Sequence, residues 1–329
     1  MTILVTGGAG HLGEAVMRVL RESDRRAVGV DIKPSAYTDH VGSITDRDFL
    51  RKVFRRGVQS VVHTAALHKP HVVTHSRQDF VDTNVTGTLS LLETARECRA
   101  ESFVFTSTTS AFGSALSPTQ GQPASWITED VAPVPKNIYG VTKLGAEHLC
   151  EMFARQRKLP VVILRTSRFF PEEDDSASIR NRYGLDNVQL NELLYRRVDL
   201  ADVVQAHLLA VERAPQLEFG RFIVSAPSPF DRSDLEMLRQ NPAGVVWRLF
   251  PKAESLYAEK GWSMFDDIDR VYVSRLAVSR LGWRPRWHFG QALQDLLDGE
   301  DFRSSLGRAV GKKGYHAGQF HEGPYPVEP

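Results

Sequence analysis

Tyr139 and Lys143 stand four residues apart, a spacing that puts both side chains on one helical face about a turn apart. A phenol beside a fixed ammonium has a definite chemical use. Removing a proton from an alcohol near neutral pH needs a base held well below tyrosine's free pKa of about 10, and an adjacent cation favours the phenolate. As a bare pattern the pair is commonplace on solvated helix faces, so its meaning rests on what accompanies it. A hydroxyl run, Thr106-Ser107-Thr108-Thr109-Ser110, follows directly on the β-type stretch Ser102-Phe103-Val104-Phe105. Hydroxyls at the carboxyl end of a parallel strand stand where open α/β sheets bind ligands, and one of them can hold a substrate oxygen. Others in the run must serve to cap the turn.

A second constellation is Thr6-Gly7-Gly8-Ala9-Gly10-His11-Leu12-Gly13, with Gly7, Gly10 and Gly13 at three-residue intervals. Between a strand and a helix such a turn uses positive φ, lets backbone approach a pyrophosphate, and aims free helix N–H groups at negative charge. Glycine spacing alone is weak evidence. Asp31 strengthens it, because it ends the next β-type run 18 residues after Gly13, where a carboxylate accepts hydrogen bonds from ribose hydroxyls. The same carboxylate repels a 2′-phosphate, and the next basic residue, Lys33, is two positions further on. NAD is therefore the expected cofactor rather than NADP.

His63, His68, His71 and His75 fall close together, but they lack a companion cysteine or carboxylate set, and no metal site is expected from them. His68 and Lys69 are expected to border the substrate cleft.

These residues need a scaffold that brings strand ends together. Short β-branched runs at 2–6, 27–31, 60–64, 102–106 and 160–164 alternate with helical patterns such as Leu12, Val16, Val19, Leu20 and Val85, Leu89, Leu92, Ala95. That rhythm predicts an α/β Rossmann doubly wound parallel sheet, with a smaller, discontinuous C-terminal substrate-binding lobe. The predicted NAD-binding domain is 1–170, completed by 198–226, where Val203 to Val211 reads as a helix and Phe222-Ile223-Val224 as a strand. Residues 171–197 and 227–300 form the lobe, and 301–329, rich in Gly, Pro, His and Tyr, is read as an irregular tail.

In the chain of 329 residues, 41 Lys and Arg nearly balance 40 Asp and Glu, leaving a net charge of +1. Nucleic acid is not an expected partner. No apolar run approaches the roughly 20 residues that cross a bilayer, so no membrane association is expected. Cys98 and Cys150 have no metal or disulfide spacing, and Met1 leads straight into Ile3-Leu4-Val5 with no room for a signal peptide. A cytoplasmic setting is expected.

The Gly-rich turn, Asp31, His63-Thr64-Ala65-Ala66, Asn84-Val85-Thr86-Gly87-Thr88, the hydroxyl run and Tyr139-Gly-Val-Thr-Lys143 together closely resemble the extended short-chain dehydrogenase/reductase family, of NAD-dependent epimerase/dehydratase type. Leu164-Arg165, Val198-Asp199-Leu200-Ala201-Asp202-Val203 and Leu281-Gly282-Trp283-Arg284-Pro285 resemble its later landmarks, so the likeness covers about residues 2–295. The resemblance implies Tyr139 as general base, Lys143 as its partner and Thr108 as the hydroxyl that holds the substrate oxygen. It implies NAD contacts from Gly7, Gly10, His11, Leu12, Gly13, Asp31, Ser43, Ile44, Ala65, Ala66 and Asn84, besides Tyr139 and Lys143. It also implies a homodimer paired through the helices that hold Asn84 and Tyr139.

Four departures from the family pattern follow, the first at the cofactor's adenine and the other three bearing on the expected substrate. Ser43 stands where relatives often carry Asp. Thr109 and Ser110 follow Thr108 where dehydratases carry an acidic pair, so no acid is supplied for eliminating water. Arg168 replaces a usual Asn, and only 26 residues separate Pro171 from Val198, fewer than nucleotide-gripping relatives use. The expected activity is hydride abstraction from a secondary alcohol of a carbohydrate-type substrate, resembling a sugar-nucleotide epimerase. A dehydrogenase of a small sugar or uronate, met by His68, Thr109, Arg168, Arg180 or Arg182, is the alternative, since guanidinium binds carboxylate bidentately. A non-catalytic NAD(H) sensor is a third reading.

Overall fold

The computed structural model describes residues 1–326 except Asp24, Lys158, 317–319, His321, Glu322 and Pro324. The chain begins with β1 (Thr2–Thr6), α1 (His11–Glu22), β2 (Arg26–Asp31), β3 (His40–Val41), α2 (Arg47–Phe54) and β4 (Val58–His63). Next come α3 (Arg77–Phe80), which leads through a π-helical stretch into α4 (Gly87–Glu97), then β5 (Ser102–Thr108), β6 (Ser125–Ile127), α5 (Ile138–Arg157) and β7 (Val161–Thr166). The second half holds α6 (Ala177–Arg182), α7 (Leu185–Leu193), α8 (Leu200–Leu217), β8 (Phe219–Val224) and α9 (Met237–Gln240). It continues through α10 (Pro242–Leu249), α11 (Pro251–Lys260), β9 (Arg270–Tyr272), α12 (Phe289–Leu297) and α13 (Ser305–Val310).

Seven strands form one sheet in the order β3-β2-β1-β4-β5-β7-β8, parallel at every pairing. The chain winds outward from β1 to β3, then returns past β1 to β4 and winds the other way. Loops leaving β1 and β4 therefore diverge, and this switch point opens a crevice at the carboxyl ends of the strands. Both faces of the sheet are covered, so central strands are apolar without alternation: Ile3, Leu4, Val5 and Val161 through Leu164 are all fully buried. One face packs on α1 and α8, with Trp283 wedged beside them. The other packs on α2, α4 and α5. On α1, Val16, Met17 and Leu20 are fully buried, each contributing roughly 2 kcal/mol of apolar burial.

The lobe has its own core, in which Leu190, Leu238, Val246, Tyr257 and Ile268 meet, and a two-stranded parallel ribbon of β6 and β9. Asp202 of α8 binds the lobe's return to the sheet: it accepts hydrogen bonds from the Arg286 and Trp287 amides, and its carbonyl accepts the Trp283 indole N–H at 2.9 Å.

The strands read from sequence are present, with two differences. β5 runs on to Thr108, so three of the five residues of the hydroxyl run are strand rather than turn; β-branched Thr suits a pleated surface. The segment expected to be an irregular tail instead opens with α13, capped by Ser304, whose hydroxyl accepts from the Gly307 amide at 3.0 Å. The expectation for 317–319, His321, Glu322, Pro324 and 327–329 lies outside the described residues. Among the described residues, no helix is long and apolar enough to cross a membrane.

Candidate active site

The Gly-rich turn sits where β1 meets α1. Gly7 has φ +79°, and a Cβ on Gly13 would fall 1.9 Å from the Gly7 carbonyl oxygen, so strand and helix approach this closely only with glycine. Asp31 ends β2 facing the turn, its carboxylate accepting from the Ala9 and Lys33 amides at 3.0 and 2.9 Å. A cleft of about 1240 Å³ runs from Gly7, Gly10, His11, Leu12, Gly13 and Asp31, past Ser43, Ile44, Ala65 and Ala66, to Thr108, Thr109, Tyr139 and Lys143. These groups fit a dinucleotide: a carboxylate for one ribose at one end, bare backbone for the pyrophosphate, and a phenol and ammonium at the other end.

Asn84 does not line this cleft. It is buried behind the cleft, where its amide exchanges two hydrogen bonds with the Leu67 backbone and donates to Thr142 Oγ1 at 3.0 Å. It holds the turn after β4 against α5.

Tyr139 and Lys143 lie on the first turns of α5, with Glu147 one turn further along. The Thr108 hydroxyl, at the end of β5, stands near the Tyr139 phenol and accepts from the Ser110 amide at 3.0 Å. Burial pushes the Tyr139 phenol up to about 12, with the Thr108 hydroxyl pulling the other way. Burial also lowers the Lys143 ammonium to about 8, against the opposing pull of Cys150 and Glu147; its Nζ rests 4.0 Å from the centre of the Phe105 ring. Desolvation thus outweighs the expected depression of the phenol by Lys143.

Glu147 is completely buried and accepts from Ser107 Oγ at 2.5 Å and from Arg165 at 2.7 and 3.0 Å. This pair ties α5 to β5 and β7 directly beneath the reactive end of the cleft.

The arginines proposed for a substrate carboxylate are committed elsewhere. Arg168 borders the cleft but pairs with Asp174 at 2.7 Å and donates to the Glu173 carbonyl. Arg180 donates to the Asp174 and Asp175 carbonyls, and Arg182 pairs with Asp266. Arg180 and Arg182 line a second cavity, of about 1260 Å³, between α6 and residues 265–270. It shares Lys69, Asp175, Arg196 and Arg270 with the first cleft.

His68 lies beside Tyr139, ring centres 6.5 Å apart, and stacks on Phe170 at 5.5 Å. His63 is separate, buried between Thr6 and Thr88. Among the described residues, no group of three or more His, Cys, Asp or Glu is arranged to hold a metal ion. Sequence reasoning missed Glu172, Arg196, Arg270 and Tyr315, which all meet at or beside the cleft. The Arg196-Arg197 pair just before Val198 was a usable signal for the first arginine. Tyr315 sits in a stretch without periodicity and gave none.

Residues 3–222 match the family model described as NAD dependent epimerase/dehydratase family. Among curated proteins, the chain is 30% identical over 246 residues to a UDP-glucose 4-epimerase of Streptomyces lividans, covering 64% of this chain and 72% of that one. It is 28% identical over 191 residues to a dTDP-D-glucose 4,6-dehydratase of Dictyostelium discoideum, of whose length it spans only 44%. A solved short-chain dehydrogenase/reductase superfamily protein from Agrobacterium tumefaciens, with bound NAD, superposes with TM-score 0.64 at 25% identity, over 90% of this chain and 95% of that one. With the Gly-rich turn, Asp31 and the Tyr139–Lys143 pair in one cleft, the chain belongs to the NAD dependent epimerase/dehydratase family, and is an NAD-using enzyme of the extended short-chain dehydrogenase/reductase type.

Proposed function

We propose that the protein is an epimerase acting on a secondary alcohol of a sugar carried by a nucleotide. The observation that carries this reading is the second cavity. Tyr183 and Phe265 offer it aromatic surface for a base, and Arg196 and Arg270, paired with Glu192 and Asp269, stand at its junction with the cleft at Tyr139. A free sugar would need none of that space. The curated relatives also act, by their names, on UDP-glucose and dTDP-D-glucose.

Tyr139 takes the alcohol proton, and Thr108 holds the same oxygen and orients it toward the phenol. Bound NAD supplies a hydride-accepting ring and, when oxidised, a positive charge at this end of the cleft. Lys143 contributes a second cation on the same helical face, since an ammonium lowered to about 8 is still mostly protonated at neutral pH. Together they offset the desolvation that favours the neutral phenol. In the return step the carbonyl carbon takes hydride back from the reduced cofactor on its opposite face while the phenol gives its proton back to the same oxygen, so that the carbon is inverted, the protein's groups are restored and no net oxidation results.

Loss of water is not supported, because Thr109 and Ser110 supply hydroxyls where elimination needs an acid. A net dehydrogenase of a free uronate uses the same first step, but Arg168, paired with Asp174, is not free to take a carboxylate. We further propose a homodimer paired through α4 and α5, where Val141 and Met152 of α5 are exposed.

The test is incubation with NAD and a panel of UDP- and dTDP-hexoses, free aldoses and uronates, following NADH and product stereochemistry together. An epimer of a nucleotide sugar without accumulating NADH is expected. Stoichiometric NADH with an oxidised product would make the enzyme a dehydrogenase, and turnover of free sugars alone would remove the role given to the second cavity.

A further inference from the structure

Residues 311–316 follow α13, and Lys312, Lys313, Tyr315 and His316 line the dinucleotide cleft. The Lys313 amide donates to Glu172 Oε1 at 3.0 Å, and the Tyr315 hydroxyl donates to Glu172 Oε2 at 3.3 Å. Glu172 also accepts from His11 Nε2 at 2.7 Å, so one carboxylate joins this segment to the Gly-rich turn. The Lys313 ammonium pairs with Glu14 of α1. The Tyr315 ring lies 5.0 Å from His68, 6.0 Å from Phe170 and 6.0 Å from His11, and His316 Nε2 donates to the Pro70 carbonyl at 2.9 Å.

These anchors come from opposite sides of the switch point. Glu14 and His11 belong to the unit that follows β1, whereas His68 and Pro70 follow β4, its neighbour in the sheet. A dinucleotide reaching from Asp31 to Tyr139 must cross between those strand ends, alongside residues 313–316, which line the same cleft. Burial alone would raise the Glu172 carboxyl, but the hydrogen bond and charge of His11 and the Lys313 amide hold it below its ordinary value. It is therefore an anionic acceptor at neutral pH, serving the cofactor turn and the C-terminal segment together.

We propose that residues 311–316 are a strap that closes over bound NAD, with Glu172 as its latch, so that the cofactor leaves only when the strap lifts. The proposal rests on NAD binding and not on the identity of the alcohol. Its consequence for an epimerase is direct, because the reduced cofactor must stay in place between the two half-reactions.

The experiment uses the full chain loaded with NADH. Stopped-flow fluorescence measures NADH release after excess NAD is added, in the parent protein, in Glu172→Gln and in the Lys313→Ala/Tyr315→Ala double variant. Release about tenfold faster in the double variant is expected, with a smaller acceleration for Glu172→Gln, since such changes act mainly on dissociation. Backbone hydrogen exchange at residues 312–316 of the parent protein is expected to slow when NAD binds, a readout that does not depend on any variant folding. Release rates within about twofold of the parent in the folded variants, or exchange at 312–316 indifferent to NAD, would overturn the strap. Either result leaves the reading of the alcohol chemistry intact.

Discussion

At the scale of single residues, desolvation decides more than charge pairing does. The Tyr139 phenol, raised to about 12 by burial, is a latent base that needs a cation beside it. Its type, its spacing from Lys143 and the hydroxyl at Thr108 were all legible in sequence; the direction of its shift was not, because burial has no local sequence signature. His63 carries the same lesson to stability. Buried between two threonines, it is lowered to about 3, chiefly by desolvation and secondarily by Lys143. A base whose folded pKa lies below its ordinary value of about 6.5 stabilises the fold above that pH, and this contribution is lost as pH falls toward the folded value. At about 1.4 kcal/mol per pH unit, roughly 2 kcal/mol should be lost by about pH 5 from this residue. Denaturant titrations at neutral pH and at about pH 5 check it: His63→Gln is expected to narrow the gap between the two conditions by about that amount, and an unchanged gap would remove His63 as its source.

At the scale of elements, the reactive end of the cleft depends on α5 being held against β5 and β7. The Glu147 and Arg165 side chains that hold it are only 0% and 2% exposed. Arg165→Met leaves a buried carboxylate with Ser107 and Arg221 as its remaining partners, and is expected to destabilise by about 3–5 kcal/mol. Urea unfolding measures this, and a loss below about 1 kcal/mol would mean that Arg221 alone neutralises Glu147. The long strands and helices were readable because buried parallel strands give unbroken apolar runs and amphipathic helices repeat. β3, β6 and β9 have only two or three residues each, too few to show any period. Residues 311–316 have none, and side-chain hydrogen bonds from distant parts of the chain fix their place. The engagement of Arg168 by Asp174 was hidden for the same reason: both residues were visible in sequence, but not the turn that joins them.

At the scale of the molecule, a sheet with one switch point, a lobe and a C-terminal strap enclose a cleft that continues into a second cavity. The apolar residues left outside lie partly on α5, where Val141 is 53% and Met152 37% exposed. Light scattering is expected to give twice the 36.9 kDa chain mass, and Val141→Glu to return it to a single chain, since a charge on an apolar isologous contact meets its own copy. A monomeric parent protein would contradict the pairing through α5.

The central claim, that Tyr139 is the base for hydride transfer, is tested most directly by single-turnover kinetics with NAD and the nucleotide sugar the enzyme converts. Tyr139→Phe is expected to bind NAD as the parent does and to form NADH at least about a hundredfold more slowly, the loss typical of removing a positioned base. NADH formation at the parental rate in that variant would contradict the account.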